Sequence, residues 1–63
     1  MMEKNRGSTI SVVVATLNEE EGVGPTLEEL QKVLHDPYVI VVDGNSVDRT
    51  VEIAKNMGAD VFL

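Results

Sequence analysis

Tyr38-Val39-Ile40-Val41-Val42-Asp43-Gly44-Asn45-Ser46-Val47-Asp48 is the stretch on which the fold of this chain turns. An unbroken apolar run that stops at a carboxylate and a Gly/Asn/Ser turn reads as a buried strand feeding a loop. The same form occurs upstream, where Ile10 to Ala15 runs into Thr16-Leu17-Asn18-Glu19. In an open parallel sheet, ligands bind in the crevice outside the carboxyl ends of the strands, so Glu19 and Asp43 are expected beside each other at one ligand-binding edge. Nucleotide binding is the first expectation.

Between the two runs, Val23, Leu27, Leu30 and Leu34 recur at steps of four, three and four, with Glu28, Glu29, Gln31 and Lys32 among them. That is one apolar stripe of an amphipathic helix. Pro25 is tolerated only in the first turn, which sets the start near Glu20 to Gly24, and Asp36-Pro37 is the stop. After the second run, Asp48 reads as a helix N-cap, Val51, Ile53, Ala54 and Met57 as a short second helix, and Gly58 as its end. Ala59 to Leu63 begins a third strand, and Thr9 to Ala15 is the first. Thr9 to Ala15 and Tyr38 to Val42 are apolar nearly throughout, as strands covered on both faces are. Met57 and Phe62 read as core filling.

The order is β-α-β-α-β, and right-handed crossovers that progress in one direction give a parallel sheet in the order 3-2-1 with both helices on one face. The expected fold is therefore α/β, a βαβαβ half of a Rossmann-like domain, truncated at Leu63. Residues 1–8 form a polar leader and residues 9–63 the partial domain. The second sheet face is expected bare, so the chain should self-associate or pack on a missing remainder of the domain.

Sixty-three residues with no cysteine and one histidine leave no disulfide framework and no thiolate or His-rich metal site. Apolar packing must hold so short a chain. No apolar run approaches membrane-spanning length, which predicts a soluble, cytoplasmic chain. Eleven acidic against five scattered basic residues give a net charge of −6 and no basic stripe, which disfavours nucleic acid as a partner. The same field repels a free diphosphate, so a bound one would need a divalent cation. Gly22-Val23-Gly24 lacks the third glycine of a dinucleotide fingerprint, and no Gly-Lys-Ser/Thr of a P-loop occurs.

Val12 to Glu21, followed after one helix by Val41-Val42-Asp43-Gly44-Asn45-Ser46-Val47-Asp48-Arg49-Thr50-Val51-Glu52-Ile53-Ala54, resembles the opening of an inverting GT-A glycosyltransferase of family 2. The likeness is to the branch similar to dolichyl-phosphate mannose or glucose synthases. It implies that Ala15, Thr16 and Leu17 line a nucleotide base, that Glu19 contacts the ribose, and that Asp43 accepts a hydrogen bond from a base ring N–H. An acceptor-only group at that place suits uracil or guanine. The chain departs from the family where Ala15 stands for a common proline, Leu17 for a frequent aromatic residue and Gly44 for a second aspartate.

The resemblance further implies a nucleotide-sugar donor, an acceptor such as polyprenyl phosphate at the cytoplasmic membrane face, and a divalent cation, Mg or Mn, in the full-length parent. The Asp-x-Asp motif that holds this cation in the family is absent from the sequence, as is any assignable catalytic base. The fragment alone is expected to hold no metal and to be inactive. From the residues alone, Asp43 could instead shape a turn, and Glu20 and Glu21 could be there to favour a helix N-terminus. Ser46 and Thr50 are expected to satisfy local backbone groups and Asp48 to cap a helix. The rival reading is a non-catalytic α/β module that self-associates through its apolar sheet face.

Overall fold

The computed structural model describes residues 10–63; the leader 1–8 and Thr9 of the expected first strand lie outside the described residues. The elements are β1 (Ser11–Thr16), α1 (Val23–Val33), β2 (Tyr38–Asp43), α2 (Thr50–Asn56) and β3 (Asp60–Phe62). The sheet runs β1-β2-β3, the expected 3-2-1 order, and both pairings are parallel. Ser11 stands opposite Tyr38 and Thr16 opposite Asp43, so β1 and β2 end level with each other. That level ending sets the two loops side by side.

Pro25 is the third residue of α1. A first-turn N–H has no partner within the helix, so proline costs nothing there. No side chain caps this end; the Glu19 carbonyl instead accepts the N–H groups of Gly22 and Val23 at 2.9 and 2.8 Å. The helix ends at Val33, with Leu34 extended and Asp36 at φ 49° reversing the chain before Pro37. At the far end of α2, Gly58 N–H reaches the Lys55 carbonyl and Ala59 N–H the Ala54 carbonyl. These two bonds form a Schellman cap, which needs a left-handed residue, and Gly58 supplies φ 94°. A Cβ built on Gly58 meets nothing within 4 Å. Gly58→Ala should therefore destabilise through backbone conformation alone, by about 1–2 kcal/mol, with Gly58→Asn milder. Urea melts of the three chains check this.

Val23 and Leu27 of α1, Ala54 of α2, Val39 and Val41 of β2 and Ala59 form one buried cluster, with Val14, Leu30, Ile53, Met57 and Val61 packed against it. Residues of both helices meet the same alternate positions of the strands, so both helices cover one face. The opposite face is open: Val13 is 66%, Val42 44% and Phe62 56% exposed. The second face is bare, as expected: among the described residues the alternate apolar side chains of the strands meet no second layer. Phe62, expected as core filling, lies instead on this open face.

Candidate functional site

The carboxyl ends of β1 and β2 carry the polar centre of the molecule. Thr16 and Asp43 are neighbours in register, and the Thr16 hydroxyl donates to Asp43 Oδ1 at 2.6 Å. The Ser46 hydroxyl donates to the same oxygen at 2.7 Å, and the Ser46 N–H to Oδ2 at 2.7 Å. Asp43 is 2% exposed, so its desolvated carboxylate depends on these donors. The Ser46 hydroxyl, then the Thr16 hydroxyl and the Ser46 N–H, hold its pKa below the ordinary carboxylate value against the opposing effect of burial. Asp48 is also lowered, first by the Thr50 hydroxyl, again against burial.

Both groups are depressed in the folded chain, so the stability they contribute is complete above the unfolded pKa of about 3.9 and is lost as pH falls through the lower folded values. The melting temperature should hold steady from pH 7 to about 5 and fall below about 4. A thermal melt series across that range checks it; a fall between pH 6 and 5 would contradict the assignment to these acids.

The two loops are laced together. Asn18 N–H donates to the Ser46 hydroxyl at 2.8 Å, and Asn18 Oδ1 accepts the Val47 N–H at 2.9 Å. Glu19 N–H donates to the Thr50 hydroxyl at 2.7 Å, and that hydroxyl donates to Asp48 Oδ1. Glu20 N–H reaches Asp48 Oδ2 at 3.2 Å, and Glu20 Oε1 accepts the Arg49 N–H at 3.0 Å. Asn18 adopts φ 50° and Asn45 φ 62°, left-handed positions that asparagine tolerates better than most residues.

These bonds revise several local expectations. The Ser46 and Thr50 hydroxyls serve a nearby carboxylate and not local backbone groups, and each accepts an N–H from the other loop. The N-cap position of α2 is Arg49 and not Asp48, and no side chain caps it. Asp48 stands one residue earlier, where its carboxylate accepts the Thr50 N–H at 3.0 Å and the Glu20 N–H from the other loop. Glu20 supports the start of α2 rather than its own helix. The cross-loop roles of Asn18, Ser46 and Thr50 leave no sequence signal beyond small polar residues in both turns.

Of the residues singled out in the sequence, Thr16 and Asp43 touch, and Leu17, 59% exposed, lies over Gly44, its Cδ1 3.6 Å from where a Cβ there would stand. Ala15 is exposed and projects to the open sheet face, opposite in alternation to Thr16. Glu19 sits in the loop beyond Thr16, with its Oε1 near Gly22. It lines an open hollow with Asn18, Glu20, Glu21, Gly22 and Asp48. Asp43 does not line that hollow. Glu19 and Asp43 therefore share a rim of the sheet, with Asp43 outside the hollow that Glu19 lines.

A family model described as glycosyl transferase family 2 matches residues 11–62, which is nearly the whole chain. The chain belongs to glycosyl transferase family 2. The low-salt glycan biosynthesis hexosyltransferase of Haloferax volcanii is 45% identical over 57 residues, 86% of this chain and 14% of that protein. The dolichyl-phosphate hexose transferase of the same organism is 38% identical over 53 residues, 84% of this chain and 23% of that protein. The crystal structure of glucosyl-3-phosphoglycerate synthase from Mycobacterium tuberculosis, in complex with Mn2+, UDP and glucosyl-3-phosphoglycerate, superposes with a TM-score of 0.74 at 33% identity. That match covers 94% of this chain and 22% of the synthase. The chain thus spans between a seventh and a quarter of the length of these relatives, and its three-stranded sheet with two helices is part of a GT-A fold.

A divalent cation does not fit the donor set at hand. Among the described residues no group of three or more His, Cys, Asp or Glu side chains could hold a metal ion. Asp43 spends both oxygens on Thr16 and Ser46, and Asp48 both of its own on Thr50 and Glu20.

Proposed function

We propose that this chain supplies the nucleotide-binding part of a family 2 glycosyltransferase that moves a sugar from a UDP- or GDP-linked donor to an acceptor. The observation that carries the reading is the Thr16–Asp43 pair at the level ends of two parallel strands, with Glu19 in the loop beside it. In this reading the backbone at the end of β1 and the start of its loop, Ala15-Thr16-Leu17, lines the base and the Glu19 carboxylate, open to solvent, accepts hydrogen bonds from ribose hydroxyls. Asp43 takes the base ring N–H once the Ser46 N–H gives up Oδ2, since the carboxylate is otherwise enclosed. Nucleotide binding therefore moves the Ser46 turn.

The metal and the catalytic base come from residues this chain does not contain. Support for a UDP donor is the UDP and Mn2+ held by the similar synthase. For the acceptor, one relative is named for dolichyl phosphate and another was crystallised with a phosphoglycerate product, and we favour a phosphate-bearing molecule. A polyprenyl phosphate acceptor would place the reaction at the cytoplasmic membrane face.

Calorimetric titration of UDP and GDP, each with Mn2+, into the protein tests the proposal. Saturable binding of one of them, with ATP inert, supports it, and binding of neither removes it. The exposed Val13, Val42 and Phe62 favour the rival, self-associating module. Sedimentation showing dimers in a chain that ignores both nucleotides would decide for that reading.

A further inference from the structure

Two short relays of the same design cross between the loops. In each, a backbone N–H of the β1–α1 loop donates to a hydroxyl of the β2–α2 segment, and that hydroxyl donates to a carboxylate: Asn18 to Ser46 to Asp43, and Glu19 to Thr50 to Asp48. The first ends on an acid already assigned to the nucleotide. The second has no role in that assignment, yet Thr50 is fully buried and its hydroxyl accepts the Glu19 N–H. A buried threonine whose oxygen is bonded on both sides fixes the donor rigidly, because the hydroxyl cannot turn away without stranding a carboxylate bond.

We propose that Thr50 is a positioning residue for nucleotide recognition: by holding the Glu19 N–H, it sets the place of the Glu19 carboxylate on the rim before ligand arrives. The inference rests on the nucleotide reading above. Glu19 is itself exposed, whereas its N–H is held by the buried Thr50, so its backbone is what can be preorganised. Binding then proceeds without the cost of ordering that loop.

Thr50→Val keeps the shape and removes the hydroxyl, whereas Thr50→Ser keeps the hydroxyl. Thr50→Val should raise the Kd for UDP with Mn2+ about tenfold and speed amide exchange at Glu19, with Thr50→Ser returning both to within about twofold of wild type. A folded Thr50→Val chain that binds UDP as wild type does would overturn the role while leaving the nucleotide reading standing. Failure of the wild-type chain to bind UDP or GDP would remove that reading, and this role with it. Should the valine variant not fold, the Glu19 amide of the wild-type chain carries the test: exchange at the rate of an unprotected loop overturns the proposal, and protection that increases with UDP supports it.

Discussion

Leu27→Ala is expected to leave the chain without a cooperative folded state. Leu27 is 1% exposed at the middle of α1, and it shares one cluster with Val23, Val39, Val41 and Ala54. Truncating a buried leucine costs about 2–5 kcal/mol, through lost transfer energy and the cavity left behind. A domain of this length has a total stability of roughly 3–9 kcal/mol at the usual value per residue, and short domains fall at the low end. The cavity cannot be filled from elsewhere, because the helices have no second layer behind them. Urea unfolding followed by circular dichroism should show a sloping baseline in place of a sigmoid. A midpoint close to that of wild type would show that α1 is not what closes this core.

Asp43→Ala is expected to abolish nucleotide binding and to loosen the β2–α2 turn together. The substitution removes the acceptor of the Thr16 hydroxyl, the Ser46 hydroxyl and the Ser46 N–H in one step, in a place water barely reaches. Asp43→Asn separates the two effects. Its amide oxygen can keep the Ser46 N–H, and its NH2 can face the Thr16 and Ser46 hydroxyls, which rotate to accept. The Ser46 hydroxyl then receives from both Asn18 and the new amide and has no partner of its own to give to. The asparagine variant should fold, melt less acid-sensitively than wild type, and bind UDP at least tenfold more weakly, about 1.4 kcal/mol. Glu28→Ala, on the exposed side of α1, is the matching control. Equal UDP affinity in Asp43→Ala and Glu28→Ala would remove Asp43 from the binding site.

The elements were legible because their signals are local. The apolar stripe of α1, the glycine after α2 and the two apolar runs each declare themselves within a dozen residues, and the parallel order follows from crossover handedness. The open face was also legible from the chain having two helices and three strands. Phe62 was not: an aromatic in an apolar run looks like core until one knows which alternate face the helices occupy. The site was half legible. Asp43 and Glu19 stand out as acids that follow strands, but Ser46 and Thr50 look like turn residues. Their partners lie 28 and 31 positions away. Only the strand register, which ends β1 and β2 level, decides that those loops meet, and no residue within either loop encodes it.

Among the described strands, β1 lies at the outside of the sheet. No described strand pairs with its outer edge, and Ser11-Val12-Val13-Val14-Ala15-Thr16 bears no charge, proline or bulge to discourage a second such ribbon from adding on. Mutual repulsion between bodies of charge −6 opposes such pairing. Concentrated stocks should stay clear in dilute buffer and grow fibrils once added sodium chloride shortens the reach of that repulsion.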